Sequence, residues 1–166
     1  KYESELPHLT KIKARTLMSK IIEAQIETGK PYMLYKDSVN EKSNQKNIGV
    51  IKSSNLCAEI VEYSEKGETA VCNLASIALP KFVKQDKSFD YQSLYETAKL
   101  ATKNLDRVID INFYPTEKTS KSNNLHRPIG LGIQGLSDVF FLMGIPHDGE
   151  IAKDITSSDT ERRFTP

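Results

Sequence analysis

Apolar positions early in the chain recur with a helical period. Ala14, Leu17, Met18, Ile21 and Ile22 follow the i, i+3, i+4, i+7, i+8 spacing of an amphipathic helix. Gly29 and Pro31 stop it in the order usual for a helix C-terminus. Tyr32-Met33-Leu34-Tyr35 then predicts a short buried strand, and the polar run from Lys36 to Asn47 predicts a loop. Ile48-Gly49-Val50-Ile51 leads into the segment Asn55 to Glu59, and Glu59 to Tyr63 has strand character. Ser64 to Glu68, with Gly67, predicts a turn. Thr69 to Leu79 is apolar, rich in small residues, and stops at Pro80.

A second helix is expected from about Tyr91, with Leu94, Ala98, Ala101, Leu105 and Val108 on one stripe and Asp90 as its cap. Tyr114-Pro115 closes that region, and Thr116 to Asn124 predicts a polar loop. The glycine-rich segment Gly130 to Gly135 opens a helix through Val139, Phe140 and Met143, ending at Gly144. Strands alternating with helices argue an α/β fold, with the strands in a sheet or barrel. They are few for a closed sheet.

Composition narrows the class. The 166 residues, 38% hydrophobic and 27% charged, suit one globular domain. A net charge of +1, from 23 basic and 22 acidic residues, gives no electrostatic drive toward nucleic acid or an anionic membrane. No apolar run approaches the ~20 residues that span a bilayer. Lys1 to Glu5 is not a signal peptide, and without a starting Met the chain is expected to begin inside a longer protein. Two cysteines make no disulfide scaffold, so a reducing, cytoplasmic setting is expected.

The candidate chemistry lies around those two cysteines. In an extended segment, Asn55, Cys57 and Glu59 share one face, since side chains alternate. A thiol between an amide and a carboxylate can act on a hydroxylated substrate. Against that stands the bland reading of a lone cysteine as a small buried hydrophobe. Cys72 lies outside any C-x-x-C spacing, which excludes a thioredoxin-like motif. A turn at Gly67 would allow a Cys57–Cys72 disulfide, while a reducing compartment argues against a permanent one. His8, His126 and His147 are scattered, with no zinc-ligand spacing.

Gly130-Leu131-Gly132-Ile133-Gln134-Gly135 spells G-x-G-x-x-G. A dinucleotide site needs a hydrophobic strand before it, and His126-Arg127-Pro128 is poor strand chemistry. Close packing of a strand against a helix is the preferred reading. The tyrosines and phenylalanines form no stacking platform for bases.

Four stretches resemble the large, catalytic subunit of class I ribonucleoside-diphosphate reductases of the eukaryotic and viral type. They are Gly29 to Ser38, Ser54 to Ile60, Ala70 to Ile77, and His126 to Asp138. The resemblance runs from about Lys11 to about Pro146. It implies part of a ten-stranded α/β barrel with an internal finger loop, occupying residues 1–148, followed by a divergent polar tail over residues 149–166.

It also implies reduction of the 2′-hydroxyl of ribonucleoside diphosphates by thiyl-radical chemistry. Cys57 is then the radical thiol, Glu59 the base on the 3′-hydroxyl, and Asn55 a hydrogen-bonding partner of the substrate. Leu56 joins Asn55 and Glu59 in the substrate site, and Cys72 is one of the two redox thiols. The implied partners are a small subunit, thioredoxin or glutaredoxin as reductant, and a second large subunit in a homodimer. The metal-radical cofactor belongs to the small subunit, and the ATP and deoxynucleotide effector sites lie outside this segment, so no cofactor or metal is expected on it.

The second redox cysteine, the loop gripping the substrate phosphates and the radical-relay tyrosines are not matched here, so this chain is expected not to turn over alone. Two other readings stay open: a glycyl-radical or cobalamin-dependent reductase of the same barrel type, and a non-catalytic remnant that binds reductase subunits.

Overall fold

The computed structural model describes Glu5 and residues 10–156. His8 and the polar tail beyond Thr156 lie outside the described residues. The chain divides into two compact units, Lys1–Tyr63 and Ser64–Pro166.

In the first unit, helix α1 (Ala14–Thr28) forms where the apolar period predicts it. Gly29 ends it in the left-handed conformation, φ +73°, donating its N–H to the Gln25 carbonyl. Tyr32 to Tyr35 is neither strand nor buried. Strand propensity there finds no neighbouring ladder, and a lone strand is not stable without one. The expected loop from Lys36 instead begins as helix α2 (Lys36–Lys42), with Asp37 in its first turn and Lys42 in its last, both favourable to the helix dipole. Glu59 to Tyr63 runs without regular hydrogen bonding, so the second expected strand is also absent.

The second unit holds the sheet. Strand β1 (Leu74–Ala78) comes from the small apolar run and passes into a 3₁₀ turn, Leu79–Phe82, at Pro80. Helix α3 (Tyr91–Ile111) is capped by Asp90, whose side chain accepts the Ser93 N–H at 3.0 Å. Its buried stripe is Leu94, Ala98, Leu105 and Ile109. Ile109 is fully buried where the sequence favoured Val108, which is 38% exposed.

Helix α4 (Glu117–His126) replaces the expected polar loop. Thr116 and Thr119 exchange side-chain-to-backbone hydrogen bonds in a capping box at its start. Strand β2 (Gly130–Gln134) is the glycine-rich segment itself, and helix α5 (Leu136–Met143) follows directly.

β1 and β2 are parallel, pairing Leu74 with Gly130 through Ala78 with Gln134. Parallel neighbours require a crossover, and α3 and α4 supply it. Ile77, Leu79, Leu94, Ala98, Val139 and Phe140 form the core between sheet and helices. Ala152, in a helical stretch over residues 150–156, is 1% exposed and joins that core.

The G-x-G-x-x-G packing is visible. A Cβ at Gly130 would sit 2.6 Å from Leu74 Cδ2, and one at Gly135, φ +78°, would meet the Pro80 ring at 2.7 Å. The glycines let strand, turn and helix close on one another.

Candidate functional site

Asn55 organises the first cysteine segment. Its backbone carbonyl accepts the Ala58 N–H at 3.2 Å, closing a tight turn over Leu56 and Cys57. Its Oδ1 accepts the Ile60 N–H at 3.0 Å, and its Nδ2 donates to Glu59 Oε1 at 2.6 Å. The turn needs Ala58 at φ +65°, a left-handed conformation costing a non-glycine residue about 1–2 kcal/mol. Ser54 Oγ donates to the Ile60 carbonyl and closes the base of the loop.

The expected extended segment with three side chains on one face is therefore not formed. Asn55 and Glu59 do meet, but a reversal of the backbone brings them together, not strand alternation. Cys57 is at that turn and is exposed, which removes the reading of a buried hydrophobe within this unit. Leu56 is 76% exposed beside it.

An open groove of about 620 Å³ runs up to this turn. Lys30 and Tyr32 contribute to it from one segment, and Lys52, Ser53, Asn55 and Leu56 from another. Ammonium, hydroxyl and amide groups together suit an anionic, hydroxylated ligand.

Cys72 belongs to the second unit. It is half-buried and, like Cys57, is a thiol and not part of a disulfide. Its segment is held along its length. Thr69 N–H donates to the Lys118 carbonyl at 3.2 Å, and Ala70 N–H to Ser64 Oγ at 2.8 Å. Asn73, 6% exposed, donates from Nδ2 to Asn123 Oδ1 at 3.2 Å and to the Pro128 carbonyl at 3.0 Å. The Asn73 carbonyl accepts the Gly130 N–H at 2.9 Å, one residue before the ladder starts.

Sequence reasoning missed the polar groups that do this holding. Glu68 is 4% exposed and its Oε1 lies 3.4 Å from His126 Nε2, while its buried Oε2 has no hydrogen-bond partner among the described residues. Asn123 is fully buried; its Nδ2 donates to the Tyr114 hydroxyl at 2.7 Å, which donates in turn to the Ile109 carbonyl at 2.7 Å. The one visible signal was an asparagine inside an apolar run, at Asn73.

Arg127 caps α4 at φ +47°. Its Nε and Nη1 donate to Asp106 and Asp110 on α3, each at 2.8 Å. The hydrogen bond from Arg127 holds the Asp110 carboxyl below the usual aspartate range, and the two carboxylates push the guanidinium further toward its charged form. His147 packs edge-on against Phe140, ring centroids 5.0 Å apart. Among the described residues no three His, Cys, Asp or Glu side chains converge to hold a metal ion, and no helix is long and apolar enough to cross a membrane.

The second unit is a parallel α/β arrangement joined through two helices, and the first carries a braced cysteine turn, which together define the structural class as a strand-and-helix fold. The family model described as the ribonucleotide reductase barrel domain matches residues 1–162. The chain belongs to that family. The match runs into the stretch from 149 onward that the sequence set apart as a tail.

Ribonucleoside-diphosphate reductase large subunits are similar throughout. That of Acanthamoeba polyphaga mimivirus is 54% identical over 158 residues, covering 93% of this chain and 18% of the relative. That of Plasmodium falciparum (isolate Dd2) is 53% identical over 165 residues, covering 99% and 20%. That of Caenorhabditis elegans is 54% identical over 155 residues, covering 93% and 20%. The chain thus spans about a fifth of the length of the curated relatives it matches. The alpha subunit of the class Id ribonucleotide reductase of Actinobacillus ureae has the same fold, with a TM-score of 0.69 at 24% identity, over 90% of this chain and 30% of that one.

Proposed function

We propose that this chain supplies the radical-thiol segment of a ribonucleoside-diphosphate reductase large subunit, which makes deoxyribonucleoside diphosphates for DNA synthesis. The observation carrying the reading is the 2.6 Å contact between Asn55 and Glu59 at the turn that presents Cys57. The whole protein would form a ten-stranded barrel with this turn at the tip of an internal finger loop.

In the proposed reaction the Cys57 thiyl radical takes the hydrogen atom from C3′, leaving a thiol and a carbon radical. Glu59 accepts the proton of the 3′-hydroxyl as that happens. The substrate radical then loses the 2′-hydroxyl, which departs as water once protonated. Cys72 and a second cysteine give up two electrons and two protons and become a disulfide: one proton leaves in the water, a hydrogen atom goes to C2′, and the remaining electron restores the C3′ radical as Glu59 returns its proton to the 3′-oxygen. The hydrogen atom returns from Cys57 to C3′, which regenerates the thiyl radical.

Asn55 holds Glu59 in place and offers its amide to the substrate, and Leu56 lines the approach. A metal-radical cofactor in a partner small subunit supplies the initial one-electron oxidation. Thioredoxin or glutaredoxin reduces the disulfide, a second large subunit completes a homodimer, and ATP and deoxynucleotide effectors bind outside this segment, in the cytoplasm.

Alone, this chain does not turn over in this reading, since it carries one of the two redox thiols. The test is substitution in an active large subunit that contains this segment. Cys57→Ser abolishes turnover with nucleotide binding retained, and Cys72→Ser blocks even a single complete turnover, because the dithiol that supplies the two electrons is then incomplete. Retained steady-state turnover by Cys57→Ser would refute the proposal.

A further inference from the structure

We propose that Asn40 and Gln45 are positioning residues for the Asn55–Glu59 turn, fixing the two roots of the loop that carries Cys57. The inference rests on the function proposed above for that turn. Both residues come from the stretch that reads in sequence as an ordinary polar loop. In the structure they are half-buried and aimed at backbone.

Asn40, on α2, acts as a strand neighbour would. Its Nδ2 donates to the Ile51 carbonyl at 2.9 Å, and its Oδ1 accepts the Ile51 N–H at 2.7 Å. Both polar groups of Ile51, a residue 2% exposed, are satisfied by one side chain. Gln45 Oε1 accepts the Tyr63 N–H at 2.7 Å. A third contact reinforces that end, because any Cβ at Gly49 would overlap the Tyr63 ring.

The loop between residues 51 and 63 is therefore pinned at both ends by amide side chains from one short helix and the turn after it. Within the loop, Ser54, Asn55 and Ile60 are tied to one another by a further set of hydrogen bonds, which begins three residues in from each pinned end. No sheet ladder does this work, since neither flanking segment is a strand. Where the roots sit decides where Asn55 and Glu59 meet the substrate. A misplacement of about 1 Å costs on the order of 10²-fold in rate.

Amide hydrogen exchange on the intact chain tests this without reference to catalysis. Asn40→Ala and Gln45→Ala are each expected to speed exchange at Ala58 and Ile60 about tenfold, the loss of roughly one net hydrogen bond felt at the tip. The Ser93 and Gly130 amides of the second unit serve as folding controls and stay protected. Gln45→Glu keeps the accepting oxygen for Tyr63 N–H and is expected to keep the tip protected. In an active large subunit carrying the segment, Gln45→Ala lowers kcat and Gln45→Glu restores it.

Unchanged exchange at Ala58 and Ile60 in both alanine variants overturns the inference. So does full kcat in Gln45→Ala, or a Gln45→Glu variant as unprotected as Gln45→Ala. These outcomes are separable from failure of the proposed function, which is read from Cys57→Ser turnover and leaves the exchange pattern untouched.

Discussion

Removing the Asn123 side chain should be among the most costly single changes in the second unit, although the residue is polar. Asn123 is fully buried and bridges two elements. Its Nδ2 donates to the Tyr114 hydroxyl, which is anchored on the last turn of α3, and its Oδ1 accepts from Asn73, beside Cys72. Asn123→Ala removes both bonds, at about 0.5–1.5 kcal/mol each, and leaves a small cavity that adds about 1 kcal/mol. Asn73 keeps the Pro128 carbonyl and Tyr114 keeps the Ile109 carbonyl, so no donor is wholly stranded. The sum is a loss of about 2–4 kcal/mol.

Tyr114→Phe is the informative partner. It removes the same Nδ2 contact from the other side and strands a buried amide donor, at about 1–3 kcal/mol. Because both variants lose one shared bond, the double variant should be less destabilised than the sum by about 0.5–1.5 kcal/mol. Urea denaturation followed by far-ultraviolet circular dichroism measures all three, with a constant m-value confirming that the same transition is compared. Additivity within about 0.3 kcal/mol, or an Asn123→Ala cost below about 1 kcal/mol, would refute the reasoning.

The glycines of the G-x-G-x-x-G run should separate sharply in thermal denaturation. Gly135→Ala, at φ +78° and against the rigid Pro80 ring, should lose about 1–3 kcal/mol, whereas Gly132→Ala, whose Cβ would meet nothing closer than 3.8 Å, should be neutral or slightly stabilising. Equal shifts in Tm would contradict the packing account. Arg127→Gln should return the Asp110 carboxyl toward its ordinary value of 3.8 in a carbon-13 titration. Since that carboxyl is depressed in the folded state, its stabilisation is present above pH 3.8 and lost as pH falls through the folded value, so the variant should show a weaker loss of stability on acidification. An Asp110 titration identical in both proteins would remove Arg127 as the cause.

Helices with an apolar stripe were legible in the sequence, and helices without one were not. α1 and α3 follow their periods, and Asp90 caps α3 as expected. α2 and α4 are built from Asn, Ser, Thr and Lys, residues that favour turns when nothing else acts on them. Tertiary hydrogen bonds act on them here: α4 buries Ser122 and Asn123, and α2 turns Asn40 inward. The glycine run was read as close packing of a strand against a helix, and the run itself is that strand, since the ladder to β1 overrides the depletion of glycine in strands. The meeting of Asn55 and Glu59 followed from their spacing, yet by a turn that only the Ala58 conformation reveals. Glu68 and His126 are 58 positions apart, and nothing local marks them as partners.

Both cysteine segments are held largely by neutral side-chain amides: Asn40, Gln45 and Asn55 in the first unit, Asn73 and Asn123 in the second. An amide both donates and accepts, so one residue can satisfy a peptide group as a strand would. It carries no charge across the physiological range, so it holds a backbone segment by hydrogen bonding alone. Charge is kept for particular places. Glu59 stands where the proposed reaction needs a base, and the amide of Asn55 directs it. Glu68 is buried with one oxygen beside His126 and the other without a partner among the described residues, a costly arrangement for a carboxyl group. If that contact serves only to pin the segment, Glu68→Gln, which keeps a hydrogen-bonding group beside His126, should be at least as stable as the parent. A stability loss above about 3 kcal/mol would show instead that the carboxyl group of Glu68 is needed to hold its segment to α4.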